Sequence, residues 1–410
     1  MPDHRTEAPS SDALPLVLRS FEQWLDRYGE TSWDHQSFFA GAFGRGAKRL
    51  YYRNKFLGTA AVAPMIFCEA ALPSARRMFH QRTRFPIADA HYAMGFAYLY
   101  EVGRDPAHLA RAAHFLDELK RSRSPGFPDF AWGYPFDWVT RNGTLAAQTP
   151  LITTTPYVYE AFMQVHALDG RPEWREIAAS IARHARRDFK DFPVSAAASA
   201  CSYTPHDSGG VINAAAYRSY LLTRAADEQG EPEYRSAAAR NLAFVLENQN
   251  ADGSWPYAVD GVRDFVDHFH TCFVMKALAK IHDRTGDAAT LSALRRGVAY
   301  YLGALFDGEG LPKPFAKAPR LTVYRRELYD CAECINLCLL LRGRFPELGP
   351  TLERVVRHIV EVWVRPDGSF RARKLKYGWD NVPMHRWAQS QMFRALSFYQ
   401  AQAASAPTPH

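Results

Sequence analysis

Helical runs recur along this chain at a nearly constant interval, and that interval limits the fold more than any other feature. Polar or aromatic markers near the start of successive apolar helical stretches are His91, Tyr157, Asn213, His270, Asp330 and His385. They lie 66, 56, 57, 60 and 55 residues apart. A period of this length fits one helical hairpin plus a loop, repeated six times. Stretches that carry the markers, such as "INAAAYRSYLLTRAADE" and "LYDCAECINLCLLLRG", are apolar or small nearly all round, as doubly buried helices must be. Between them run amphipathic stretches such as "EWREIAASIARHARRDF" and "TLERVVRHIVEVWV", which predict outer helices with one charged face. Strand signals are weak, so few or no strands are expected.

The N-terminal run "LPLVLRSFEQWLDRYG", within residues 12–30, can supply the sixth outer helix. That closes the ring, and the sequence therefore predicts an all-α (α/α)6 toroid, one domain over residues 1–410, rather than an open solenoid. Residues 33–71 fall outside the period and are expected to form a lid or an extra hairpin; residues 404–410 read as a disordered tail. Turn signals recur in step, with "DGSW" at Asp252, "DGEG" at Asp307 and "DGSF" at Asp367. In a closed toroid the loops preceding the inner helices gather on one face, around a central funnel.

Composition narrows the partners. Hydrophobic residues make up 47% of the 410, ample for one large core, and the 13% of aromatics can also form stacking platforms for sugars. The formal charge of +7 is spread along the chain without a lysine/arginine tract or nucleic-acid motif, which argues against a nucleic-acid partner. A basic cleft for an acidic small molecule or anionic glycan stays open. The first residues carry an early acid and no apolar core of a leader. The longest apolar stretch, "GTAAVAPMIF", is far shorter than the ~20 residues needed to cross a bilayer. A cytoplasmic protein without a membrane span is expected. Of six cysteines, Cys331, Cys334 and Cys338 fall on one face of one helix and read as reduced core residues.

Several stretches resemble known toroids. "QNADGSWPY" resembles the Gln/Asp-Gly-Ser-Trp repeat of terpenoid cyclases and prenyltransferases. "RDFVDHFHTCFVMKAL" is similar to the helix on which protein prenyltransferase β subunits carry a zinc-binding histidine, a position His270 matches. The loop-then-helix layout equally resembles six-hairpin glycosidases and sugar epimerases. In "YGWDNVPMHRWAQSQMFRAL" a histidine opens an inner helix ahead of a Trp-Ala pair, as in a sugar epimerase. "LITTTPYVYEAF", "VINAAAYRSYLL" and residues 249–278 together resemble uncharacterised proteins associated with bacterial exopolysaccharide gene clusters. That resemblance implies partners in polysaccharide biosynthesis. Two toroid chemistries lose their motifs here. No Asp-x-Asp-Asp string occurs, and the helix that should carry the Asp-x-Cys pair reads "HDSGGVINAAAY". His270 with Cys331 or His385 would give only part of the roughly four ligands zinc takes. No metal or cofactor is expected.

Sugar chemistry asks for less: two carboxyls across a scissile bond, or a base, an acid and a cation beside a uronate. The catalytic candidates are Asp267, His270, Asp330, His385, Asp207 and Tyr157. Asp267 and His270, three residues apart on a helix, can pair, and a carboxylate-oriented imidazole is a standard acid/base unit. If the helix starts near Asp264, then Asp264, Asp267 and His268 share a face, while His268 and His270 stand about 200° apart. Glu333, inside an apolar helix, needs a partner, either as a functional carboxyl or salt-bridged to an arginine such as Arg218. Thr155 is read as an N-cap ahead of Pro156. The binding candidates are Trp132, Tyr134, Asp137 and Trp138 in "WGYPFDW"; Tyr203, His206 and Asn213; Trp255, Tyr257 and His268; and Arg371, Arg373, Lys376, Trp379, Asp380 and Arg386. Together they predict an enzyme acting on an anionic, uronate-type saccharide, as a hydrolase or as an epimerase or lyase. A non-catalytic glycan-binding or scaffold protein and a terpenoid- or prenyl-processing enzyme are the alternatives.

Overall fold

The computed structural model describes residues 13–319 and 322–405; the end of the expected tail lies outside them. Six inner helices form a ring: α5 (Pro86–Gly103), α7 (Thr155–Asp169), α9 (Ile212–Gln229), α11 (His268–Thr285), α13 (Leu328–Leu341) and α15 (Ser390–Ala404). Each packs on the next and α15 packs on α5, so the ring closes. Closure depends on Gly95, where a Cβ would sit 2.6 Å from the Phe393 ring. The outer layer is α6 (Pro106–Arg121), α8 (Pro172–Arg187), α10 (Pro232–Glu247), α12 (Ala288–Ala304), α14 (Gly349–His358) and α1 (Ala13–Tyr28). Phe21 of α1 stacks on Phe393 and Phe370, at 5.1 and 5.2 Å between centroids, and thereby joins chain start to chain end. The fold is the (α/α)6 toroid expected from the period.

Local chemistry sets the hairpins. Gly170, Gly230 and Gly286 take left-handed φ values of 70°, 72° and 67° at the ends of α7, α9 and α11. Pro172 and Pro232 then open the returning helices, a position where the missing N–H costs nothing. These tight connections crowd one face of the ring and leave the long loops on the other.

The long loops carry the only regular strands among the described residues. These are β1 (Trp138–Thr140) with β2 (Gly143–Leu145), β3 (Asp191–Pro193) with β4 (Ser199–Cys201), β5 (Val266–Asp267) with β6 (Phe315–Lys317), and β7 (Tyr324–Glu327) with β8 (Arg373–Leu375) and β9 (Trp379–Asp380). The last two sheets tie neighbouring loops together. The Asp-Gly-Ser turns prove architectural. Ser254 and Ser369 each donate backbone and hydroxyl hydrogens to the preceding aspartate. Gln249 donates to the Ala293 carbonyl of α12 at 2.9 Å, which links consecutive hairpins.

Residues 33–71 form a short helix, α2 (Ser37–Ala40), and a hairpin of α3 (Ala42–Arg53) and α4 (Lys55–Ala71) against the loop face. The N-cap position of α7 is Thr154, not Thr155, whose hydroxyl instead donates back to the Leu151 carbonyl at 2.9 Å. All six cysteines are free, and the three of α13 are buried.

Candidate active site

Aromatic side chains from five of the six loop–helix junctions touch in sequence around the funnel mouth. From Tyr203 the path runs to Trp138 (6.5 Å between centroids) and Tyr134 (5.7 Å). It continues over the Arg386 guanidinium to Trp387 and Tyr329, the last two rings stacked at 5.9 Å and 6°. Phe269, His270 and Tyr257 complete it, with contacts of 5.0, 4.3 and 4.6 Å. Such a collar of half-buried rings suits flat, hydroxylated ligands.

Within the collar stands the Asp267–His270 pair. Pairing of β5 with β6 holds the chain extended through Asp267, and α11 begins only at His268. Asp267 is therefore the N-cap. One carboxylate oxygen accepts the His270 backbone N–H at 3.0 Å, and the other lies 2.6 Å from His270 Nδ1. The carboxylate accepts from Nδ1–H, so the neutral ring carries its lone pair on Nε2. Nε2 has no hydrogen-bond partner among the described residues, and the side chain is 20% exposed.

Below the collar lie polar groups without partners. Both carboxyl oxygens of Asp330 and both amide atoms of Asn213 are buried and unbonded, as is the amide of Gln391. Burial, and then the nearby Glu327 and Asp267 carboxylates, push the Asp330 carboxyl well above the usual range, which favours its protonated form. Buried polar groups in native proteins are nearly always satisfied, and unsatisfied ones lining a cleft invite a ligand or water.

Deeper, all six inner helices contribute to one polar plug on the axis. Lys276 pairs with Glu333 and Lys280 with Glu160. Arg394 lies 3.6 Å from Glu160 and 3.4 Å from His91 Nδ1. Tyr220 donates to Glu160 at 2.6 Å; Lys276 donates to Tyr157 at 3.1 Å, and the Tyr157 and Tyr217 hydroxyls lie 2.8 Å apart. Burial would raise the Glu160 carboxyl, but Lys280 and Arg394 win and hold it at about 2. Burial lowers the Lys280 ammonium to about 8 against the pull of Glu160. Three cations thus face two carboxylates. Glu333 pairs with Lys276 rather than Arg218, which is engaged by Asp191, Asn241 and the Ala185 carbonyl.

A second buried cluster clamps the N-terminal segment onto the sixth loop. Arg386 holds Asp34 in a bidentate pair at 2.7 and 2.6 Å. Arg76 donates to Asp380 at 2.6 Å, and Arg373 bridges Glu327 (2.8 Å) and Glu69 (2.7 Å). His35 sits 3.5 Å from both Glu327 and Asp380. Burial, and then Arg373, lower its imidazole to about 3, so it is neutral.

The other sequence candidates divide between rim and framework. Tyr134, Trp138, Tyr203 and Tyr257 line the mouth, and His206 is exposed beside it. Tyr157 is in the plug, its hydroxyl pushed up to about 12 by burial. Asp207 is spent on its own loop, accepting from the backbone of Tyr203 (2.9 Å) and Gly209 (2.8 Å). Asp137 accepts the Ala147 N–H at 3.0 Å, at the hairpin of β1 and β2. Arg371 and Trp379 stack at 4.9 Å on the outer side of the sixth loop, and Lys376 is exposed at its tip.

Eight residues need correction. Trp132 and Trp255 do not wall the funnel; each is buried with its indole N–H on a carbonyl, Leu119 at 2.8 Å and Val245 at 3.0 Å. His268 points outward to Tyr301 (2.8 Å), and Asp264 is exposed and paired with Lys317, because the helix starts later than its sequence suggested. His385 is sealed: Nε2–H donates to the Gly29 carbonyl at 3.0 Å, and Nδ1 accepts from Tyr92 at 2.5 Å. Asp380, Arg373 and Arg386 are held by each other's segments, as above, and present no open charge to a ligand.

Lys276, Glu160, Lys280, Arg394, Asp34, His35, Arg76 and Glu327 were missed. A charge in the middle of an apolar helix was the available signal for the first four.

No family model matches the chain, and no curated protein matches it. Solved structures do. The chain is similar to the cellobiose 2-epimerase from Bacillus thermoamylovorans (TM-score 0.60, 10% identity, 77% of this chain and 88% of that one). It is similar to the unsaturated glucuronyl hydrolase of Bacillus sp. GL1 (TM-score 0.59, 12% identity, 94% of this chain and 95% of that one). A family 76 α-mannanase from Bacteroides thetaiotaomicron gives a TM-score of 0.58 at 10% identity, over 90% of this chain and 98% of that one. The likeness is one of fold. The prenyltransferase zinc site does not fit these residues: among the described residues no three His, Cys, Asp or Glu side chains converge on a metal position.

Proposed function

We propose that this chain is a carbohydrate-active enzyme acting on an anionic, uronate-type saccharide, with protein side chains as its acid and base. The observation that carries the reading is the Asp267–His270 pair, its Nε2 unpartnered, beside a buried Asp330 whose carboxyl oxygens have no hydrogen-bond partner among the described residues. His270 is then the base and Asp330 the acid, presented from adjacent inner helices. Asp267 orients the imidazole and stabilises it once protonated. The collar of Tyr134, Trp138, Tyr203, Tyr257 and Trp387 stacks sugar rings, and Asn213 accepts or donates to a hydroxyl. The surplus cation of the plug favours an anionic guest. The saccharide-acting names of the similar solved structures agree with this choice.

Two reactions share this arrangement. In proton abstraction, Nε2 removes the hydrogen next to the uronate carboxylate, and the Asp330 proton goes to the opposite face or to the departing oxygen. In hydrolysis, Asp330 protonates the glycosidic oxygen while His270 activates water. The resemblance to proteins associated with exopolysaccharide gene clusters supports a place in polysaccharide biosynthesis, alongside proteins of that process. Incubation with uronate oligosaccharides in heavy water, followed by NMR, tests the proposal. Deuterium on a sugar carbon or an unsaturated product marks abstraction, and new reducing ends mark hydrolysis. No reaction across acidic and neutral oligosaccharides would refute an enzymatic role.

A further inference from the structure

The α3–α4 hairpin turns an apolar face to the outside. In α4, "KFLGTAAVAPMIFCEAA", the inward positions are Gly58 and Met65, with Ala61, Val62 and Cys68 half-buried beside Phe38 and Phe79. A Cβ on Gly58 would lie 2.0 Å from the Tyr51 Cα, so the two helices touch backbone to backbone. The outward stripe is Phe56, Ala60, Ala63 and Phe67, at i, i+4, i+7 and i+11. Phe56 is 86%, Phe67 63% and the flanking Leu57 53% exposed; Ile66 and Leu72 widen the patch. A surface helix ordinarily puts its polar side outward. This one is apolar on both faces, and contiguous exposed apolar surface marks an interaction site.

The charges around the stripe identify the partner. Between Asp34 and Glu69 the sequence has no acidic residue, while Arg45, Lys48, Arg49, Arg53 and Lys55 are basic. Arg49, Arg53 and Lys55 are exposed. A second copy packed symmetrically on this face would set like charges against each other, whereas a layer of lipid phosphates would neutralise them. No described helix is long and apolar enough to cross a membrane.

We propose that the α3–α4 hairpin is an interfacial anchor that lays the outward face of α4 into a bilayer rich in anionic phospholipid. The phenylalanines enter the boundary between headgroups and acyl chains, and the basic side chains meet the phosphates. Glu69, bonded to Arg373, ties the anchor to the loop face of the toroid.

Flotation of the full chain with vesicles tests this. Vesicles of phosphatidylcholine with phosphatidylglycerol should carry the protein, and phosphatidylcholine alone should carry far less. Phe56→Glu with Phe67→Glu should lower partitioning by roughly a hundredfold, with an unchanged melting temperature. Arg49→Gln, Arg53→Gln and Lys55→Gln should each lower it about fivefold, and added salt should do the same. Phe56→Leu with Phe67→Leu should keep binding. Absence of binding to the anionic vesicles, equal binding to neutral ones, or a dimer in light scattering that the glutamate pair dissociates would overturn the proposal.

Discussion

Two histidines stand where a loop enters an inner helix, His270 in the first turn of α11 and His385 in the turn before α15, and they have opposite surroundings. His385 spends both ring nitrogens on the framework, one on Gly29 and one on Tyr92, and burial lowers it to about 3. His270 spends one nitrogen on Asp267 and keeps the other. The same contrast separates two carboxyls: Asp380 is saturated by Arg76 and the Val382 N–H, while Asp330 has no hydrogen-bond partner among the described residues. Saturated polar groups hold the N-terminal segment to the sixth loop. Unsaturated ones are buried under an aromatic collar. On the proposed reading, an unspent hydrogen-bonding group, and not a position at the mouth of the funnel alone, marks the catalytic residues.

The widest test of that contrast removes the unspent groups. His270→Ala and Asp330→Asn should each lower turnover of the saccharide by about 10²–10⁴ while the melting temperature holds or rises. Asp267→Asn should keep the helix cap but lose the imidazole's orientation, with kcat falling and stability changing by less than about 1 kcal/mol. Steady-state kinetics beside thermal melts separate the two effects. If His270→Ala unfolds the protein and keeps its rate, the contrast is reversed.

Breaking the saturated side should do the opposite. Arg386→Met leaves Asp34 buried without its partner and should cost about 3–5 kcal/mol in denaturant unfolding. His385→Ala strands the Tyr92 hydroxyl and the Gly29 carbonyl and should cost about 1–3 kcal/mol. The fraction of His385→Ala still folded should turn over saccharide at the parent rate.

A further effect is in pH. His35 and His385 both titrate near 3 when folded, well below the ~6.5 of an unfolded chain. As pH falls below about 6.5 the unfolded state takes up protons first, so their contribution is complete above that pH and is lost toward pH 3. Each histidine contributes a slope of up to about 1.4 kcal/mol per pH unit. Unfolding free energies measured across pH 7 to 4 should fall, and His385→Gln should remove one histidine's share of the slope. A flat profile would mean these rings are not the buried neutral groups described.

Much of this architecture was readable from the sequence because it is periodic and local. Apolar-all-round stretches alternating with amphipathic ones announce inner and outer helices, and the run from Leu14 predicts the closing helix. The clamp was not readable, since Asp34 and Arg386 are 352 residues apart and nothing local links them. The late start of α11 was hidden for the same reason: β6, some fifty residues on, keeps Val266 and Asp267 extended. The plug had a local signal. Lys276 in "HTCFVMKALAK" and Arg394 in "SQMFRALSF" are charges in apolar helices, as Glu333 is, and only Glu333 was read that way.

A crystal structure with an acidic oligosaccharide tests the central claim most directly. The account predicts a sugar ring inside the collar, stacked on Tyr257 or Trp387, with a reacting proton or water within about 2.6–3.2 Å of His270 Nε2 and the Asp330 carboxyl on the bond's other side. A saccharide bound elsewhere, with His270 and Asp330 untouched, would contradict it.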